Sequence, residues 1–516
     1  MGSSFEYLAT LFGFLLVMFP LSILFFQWWI TPWMFCKKLR ANGFSGPNPN
    51  FPLGNLNQIK YQNPDTDISK PSSVLTGISN DTHSTLFPYF ASWQKSHGKV
   101  FVFWAGTAPF LYVADPEFLK QMSGDIKGKD WGKADVFKRD RTAIFAKSLV
   151  ANEGDEWARR KHFITPAFAT SSLKATAALG VEAAKNMVDQ WSALINSGDR
   201  EIDVEAEIIP MLGGVAAKMS CGMSVENGKR VLSKLRALQW VLFEDLGHVG
   251  VPYGKLLSPI RTMRARKLGK EIDEILYSVI KERVSGRGNG GGVDFLESMM
   301  AADGGRIRPL AAEEMVDECK AMFFAAFETT GLALSWSLLQ LAAHPKWQIE
   351  LREEIREVVE DREIGDVSIL HGLKKMGWVM NEVIRLYGSV PNIQRQARHD
   401  IQVGDKVIPR GTNIWIDIVS MHHDRTLWGE DANEFKPERF ENDIYGGCNH
   451  KMGYLPFGFG GRLCVGKNLT TLQYRAVLAT ILSKFSVSLS PRYCHSPTII
   501  LALRPKYGIP LILQNL

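Results

Sequence analysis

From Glu313 to Ala343 the chain runs about thirty residues without a proline, with Pro309 ahead of the run and Pro345 closing it. At 1.5 Å per residue this predicts a helix roughly 45 Å long, enough to cross a whole domain. Its middle, Met322-Phe-Phe-Ala-Ala-Phe-Glu-Thr-Thr-Gly-Leu-Ala-Leu334, is apolar except for Glu328, Thr329 and Thr330. A glutamate in such a setting is costly unless it is paired. Adjacent threonines and a glycine are poor helix formers, so the helix should be weakest there. One reading is a groove in which O2 and water meet an acid and an alcohol able to relay protons. The other is a satisfied polar cluster with no chemistry.

A chain of 516 residues exceeds the single-core limit of roughly 250 to 300, yet no linker divides it near the middle. The expectation is one large, mainly α assembly around a cofactor, with a small β region. Short strand signals lie at Val100 to Trp104 and Phe110 to Val113, and helical periodicity dominates from Asp155 onward. Arg287 to Gly292 reads as a surface loop. A net charge of 60 minus 54, or +6, is too weak to imply nucleic acid. Basic runs at 37–40, 138–141, 159–161 and 261–267 read as solvated faces, or as contacts for an acidic partner or an anionic membrane. The 6 cysteines form no C-x-x-C pair, which fits a reducing compartment.

Between Tyr7 and Ile30 there is no charged residue, and Leu8 to Trp29 has about the ~20 apolar residues of a membrane span. The run is too long for a signal peptide and lacks a basic start and a small-residue cleavage site. Trp28, Trp29 and Trp33 suit a membrane interface, and Lys37, Lys38 and Arg40 keep the following chain on the cytoplasmic side. The expected layout is an anchor at 1–36, a Pro/Gly connector at 37–60 and a catalytic domain at 61–516.

Pro456-Phe-Gly-Phe-Gly-Gly-Arg-Leu-Cys464-Val-Gly466 is a glycine-rich loop that presents one cysteine and runs into a helical pattern. Backbone amides and a helix N-terminus would stabilise a thiolate there, making it a metal ligand. Glycines allow close approach to a large flat group. Taken alone, a tight turn with a buried cysteine is the plainer reading. The G-x-x-x-x-G-K pattern in the same residues lacks the Ser or Thr and the preceding strand of a phosphate loop. Glu382 and Arg385, three apart on a helix, can pair, and Arg439 could complete a buried network that holds the cysteine loop.

In this order the pieces resemble the cytochrome P450 superfamily of haem-thiolate monooxygenases. Phe457, Gly460, Arg462, Cys464 and Gly466 match F-x-x-G-x-R-x-C-x-G; Glu382 and Arg385 match E-x-x-R; Pro437 to Phe440 match P-E-R-F. The usual Gly of the long-helix motif is Ala326, whose methyl is expected to narrow the oxygen groove. The W-x-x-x-R element reads Trp157-Ala-Arg-Arg-Lys161. Trp428 to Phe440 and His495 to Gly508 resemble the plant microsomal branch that includes cytokinin, gibberellin and brassinosteroid oxidases.

The resemblance implies the P450 fold as a single haem-binding domain, haem b with Cys464 as axial ligand of the iron, and Glu328 and Thr329 as proton-delivering catalytic residues. It implies haem contacts from Trp157, Arg160, Lys161, Arg395, Phe457, Arg462 and Gly466. Electrons should come from a separate NADPH-cytochrome P450 reductase that carries the flavins, with Arg159 to Lys161 as a docking surface. The protein should sit in the endoplasmic reticulum membrane by a single pass, its catalytic domain facing the cytoplasm and in contact with membrane lipid. The substrate should be a small lipophilic metabolite, hydroxylated with O2. Phe323, Phe327, Val390, Asn392 and Thr498 are candidate contacts, within walls at 129–150, 247–258, 323–327, 390–393 and 496–499. A reductase-independent haem-thiolate isomerase or dehydratase, and a haem carrier or sensor, are the rivals.

Overall fold

The computed structural model describes residues 2–61, 78–123, 130–243, 249–285, 294–300, 307–360, 362–364 and 366–516. The loop expected at 287–292 and the wall positions 129, 247 and 248 lie outside them.

Helix Gly2–Phe25 passes through a π turn, Phe26–Ile30, into helix Thr31–Ala41. The most apolar stretch of these helices has none of its residues buried against protein, as a lipid-facing segment requires. The helical rod does not stop at residue 36. Leu39 is buried near its end, Lys38 pairs with Asp400 at 3.2 Å, and Asn42 donates to the carbonyl of Val407 at 2.9 Å. The rod is thus fastened directly to the globular part. Residues 42–55 form no helix or long strand, and helix Leu56–Tyr61 follows within the expected connector.

The globular part has two cores. One is helical and surrounds Ala312–Ala343, which packs against Val204–Cys221, Pro259–Val284, Lys374–Tyr387 and Lys467–Leu482. Although Ala312–Ala343 is apolar enough to cross a membrane, 78% of its most apolar window is buried inside the fold, which makes it a core helix. It begins where Glu314 accepts the amide of Ala311 at 2.8 Å and ends at His344, before Pro345. The helix is unbroken through Thr329-Thr330-Gly331, against the expectation of a weak point. Gly331 serves packing: a Cβ there would meet Ile209 at 2.5 Å, so the glycine lets the neighbouring helix approach.

The second core is rich in aromatics and lies on a five-stranded sheet ordered Val100–Ala105, Ala108–Val113, Asn413–Asp417, Asn392–Ala397, Trp131–Gly132. Only the pairing of Ala108–Val113 with Asn413–Asp417 is parallel. Hairpin Pro497–Ile500/Ala502–Pro505 closes the remaining side. The functional cavity opens between the two cores.

Candidate active site

Cys464 lies in a turn built by two glycines with positive φ, Gly458 (+78°) and Gly460 (+63°), a region L side chains rarely adopt. Its amide donates to the carbonyl of Phe457 at 2.9 Å, closing the loop. Helix Lys467–Leu482 starts directly behind it, and the amides of Gly466 and Lys467 point at the sulfur. Burial raises the thiol pKa while these two amides lower it. The sulfur is nevertheless accessible from a cavity of about 2210 Å³, and Phe457, Arg462 and Cys464 stand in its wall.

The loop is held from behind by a buried polar chain. Arg385 binds both oxygens of Glu382, at 2.7 and 2.8 Å, and neither side chain is exposed. Arg439 approaches Glu382 at 3.6 Å and binds Asp431 at 2.7 Å. His422, a residue sequence reasoning passed over, links this pair to the loop. Arg385 donates to the His422 carbonyl at 2.8 Å, and His422 Nε2 accepts the amide of Leu455 at 3.0 Å, one residue before the loop. Nε2 must accept there, so the proton sits on Nδ1, which donates to the carbonyl of Arg385 at 3.2 Å.

Across the cavity, the central helix presents Phe324, Ala325, Glu328 and Thr329. Phe323 and Phe327 do not reach it. Both are 0% exposed in the helical core, and spacing of three and four along the helix puts Phe324 on the cavity face in their place. Ala326 also packs against the helical core and is absent from the cavity wall, so its methyl does not narrow the groove. Thr329 Oγ1 donates to the carbonyl of Ala325 at 2.9 Å. Glu328 accepts from Gln239 at 2.7 Å through one oxygen, while the other has no partner among the described residues. Burial raises its pKa, and Arg504, 3.8 Å away, partly opposes this. Gln239 and Arg504 carry no motif that would have exposed them in the sequence.

A third group is cationic. Lys133, Arg395 and Arg462 line the same cavity, and among the described residues none forms an ion pair with a carboxylate. The Arg462 guanidinium lies 4.2 Å over the Trp157 ring, and Lys161 Nζ lies 4.9 Å from that ring. Burial pushes the Lys133 pKa well down, with further lowering by Arg395 and Arg462, and pushes both arginines to about 10. A cavity wall bearing unpaired, desolvated cations calls for an anionic group. Haem would fit: its two carboxylates would meet these cations, and Cys464 could ligate its iron. Lys133 was not singled out because a lone lysine carries no signal.

Arg160 is not available for this contact. Its side chain is 2% exposed and is bound by Glu156 at 2.9 Å, Glu314 at 3.3 Å and Glu318 at 2.8 Å. Arg159 is likewise held by Glu156 and Glu314, at 2.7 and 2.5 Å. The basic run 159–161 therefore offers Lys161 alone rather than a three-charge docking patch. Val390, Asn392 and Thr498 line the cavity.

The cytochrome P450 family profile matches residues 73–511. The chain belongs to the cytochrome P450 family. Relatives agree along the full length of this P450. It is 32% identical over 523 residues to cytochrome P450 714C2 of Oryza sativa subsp. japonica, covering 100% of this chain and 99% of the relative. It is 31% identical over 501 residues to a cytokinin hydroxylase of Arabidopsis thaliana, covering 95% and 94%. Cytochrome P450 709B3 of Arabidopsis thaliana is 31% identical over 516 residues, covering 98% of both. This P450 is a haem-iron monooxygenase related to plant enzymes, and the P450 fold expected of it is the one observed.

Proposed function

We propose that the protein is a membrane-anchored monooxygenase that hydroxylates a lipophilic metabolite, taking electrons from NADPH through a separate flavin-containing reductase. The observation that carries this reading is the placement of Cys464 and the Glu328-Thr329 pair on walls of one cavity. Cys464 would hold the haem iron, with Lys133, Arg395 and Arg462 facing the propionates and Trp157 supporting Arg462. Haem ligated in this way supplies O2 activation and insertion of one oxygen atom into a C–H bond. The chain's own groups do the rest. Glu328, whose pKa burial raises, supplies protons to the cavity, and Thr329 passes them on from its hydroxyl. Val390, Asn392, Phe324 and Thr498 bound the space where substrate is oriented.

The exposed apolar N-terminal rod supports single-pass anchoring in the endoplasmic reticulum, with residues after it on the cytoplasmic face beside the reductase. The name of the Arabidopsis cytokinin hydroxylase supports hydroxylation of a small plant metabolite. The test is spectroscopic and then catalytic. The reduced, carbon-monoxide-treated protein should show the red-shifted thiolate band, and Cys464→Ser should abolish it. Product should form only with NADPH and reductase. Turnover of a hydroperoxide without reductase would favour an isomerase or dehydratase. A thiolate band with no turnover across a hormone and terpenoid panel would favour a haem carrier.

A further inference from the structure

One cation in the cavity stands apart from those around Trp157. Arg141 joins the short helices Asp135–Asp140 and Thr142–Phe145 and lines the cavity. Its guanidinium lies 4.5 Å from the ring centre of Phe137 and 5.1 Å from that of Phe243, so two aromatic rings hold it. Among the described residues its Nε has no hydrogen-bond partner and no carboxylate forms an ion pair with it. The adjacent Asp140 is occupied elsewhere, accepting two bonds from Arg261 at 3.1 Å each.

Arg141 is also electrostatically separate from the haem-facing cations. Arg395, Arg462 and Glu153 act on Lys133, whereas among the described residues the charge acting on Arg141 is Asp140, against the burial that lowers its pKa to about 10. Its place is on the side of the central helix that carries the acid and alcohol, since the next helix brings Phe145 against Phe324 at 5.9 Å, edge to face. Phe137, Phe145, Trp240, Phe243 and Phe324 line the cavity with it, as do Lys138, which pairs with Glu153, and Arg264. Glu328 is the sole carboxylate among the described lining residues, and it is engaged by Gln239. A desolvated guanidinium left without an anion destabilises the fold unless a ligand supplies one.

We propose that Arg141 recognises a carboxylate on an otherwise apolar substrate. The planar fork pairs both carboxylate oxygens at once, and the aromatic clamp holds the guanidinium in position beforehand. The rest of the molecule lies among the phenylalanines. This rests on the haem-monooxygenase reading only in that the bound acid faces the oxidising side of the cavity.

The test uses the full-length, haem-loaded protein and follows the change in its haem absorption as two acids, dodecanoic acid and abietic acid, are titrated against their methyl esters. Wild type should bind at least one acid about tenfold more tightly than its ester. Arg141→Gln should reduce that preference to within about twofold, and Arg141→Lys should keep part of it. Thermal stability separates this from a structural role: removal of an unpaired cation should leave the melting temperature of Arg141→Gln unchanged or raised, whereas a structural arginine would lower it. Equal binding of acid and ester by wild type, a preference that survives Arg141→Gln, or no response to either probe would overturn the assignment. In each of those cases an intact thiolate band leaves the monooxygenase reading standing, while absence of that band in wild type sinks the broader reading first.

Discussion

Arg504 stands 3.8 Å from Glu328 yet donates to Glu205 at 2.5 Å, so one buried cation serves two buried carboxylates. Among the described residues, removing it leaves Glu205 with only the more distant Arg236, at 3.7 Å, and Glu328 with only neutral Gln239 as a direct partner. Arg504→Met should therefore cost about 3–5 kcal/mol in urea unfolding of the haem-loaded protein. A loss under about 1 kcal/mol would mean that Glu205 and Glu328 do not depend on it.

Glu328 should be needed for proton supply and not for folding. Glu328→Gln keeps the volume and the contact with Gln239 but cannot exchange a proton. Product formation should fall by about 10²-fold or more, with the carbon-monoxide spectrum and the rate of reduction unchanged. Comparable loss in both spectrum and turnover would assign Glu328 a structural role.

Neighbouring phenylalanines on the central helix should behave oppositely. Phe324 faces the cavity and Phe323 the core. Phe324→Trp should change the distribution of hydroxylated products with little effect on stability. Phe323→Trp should cost about 1–3 kcal/mol by overpacking and leave the product pattern alone. Reversed outcomes would mean that the helix is rotated.

His422 and His423 should make the protein acid-sensitive. Burial, the largest cause, pushes their pKa values down to about 3 and about 4 from an ordinary 6.5. The unfolded chain then takes up protons first, so their stability contribution is complete above pH ~6.5 and drains as pH falls toward 4. Each contributes a slope of about 1.4 kcal/mol per pH unit in that window. Because His422 holds the Leu455 amide, haem release should accompany the loss. Urea midpoints at pH 7.5 and 5 test this, and His423→Gln should flatten the difference. Identical midpoints in wild type would refute it.

The cationic wall should set haem affinity. Lys133→Ala should speed haem transfer to an acceptor globin, whereas Arg160→Ala should instead lower stability by loosening Glu314 and Glu318. If Arg160→Ala alone accelerated haem transfer, the assignment of Lys133 would fail.

Much of the site was legible along the chain because its parts are local. The cysteine loop owes its shape to glycines beside Cys464 and a helix directly behind it, and Glu382 pairs with Arg385 one helical turn away. The central helix was bounded by its prolines to within a residue or two. What failed was facing: an almost wholly apolar helix has no polar side to orient it, so Phe323 and Phe324 look alike in sequence. Arg159 and Arg160 read as free charge because Glu156, one turn away, is only one of their acceptors, and the others, Glu314 and Glu318, lie about 155 residues away.

By itself, then, the sequence determined the chemistry on the cysteine side: a thiol among amides at a helix start, braced by a buried ion pair, beneath a long apolar helix with one acid. The turn around Cys464 and the pairing of Glu382 with Arg385 depend on neighbours within a turn or two, whereas the brace between them runs through the distant His422. Only the tertiary structure decided which cations are neutralised and which are left for a ligand. That depends on distant partners such as Arg504 with Glu205, and on Arg141 having no carboxylate ion-paired with it among the described residues, since a charge acquires its meaning from what surrounds it after the chain has folded.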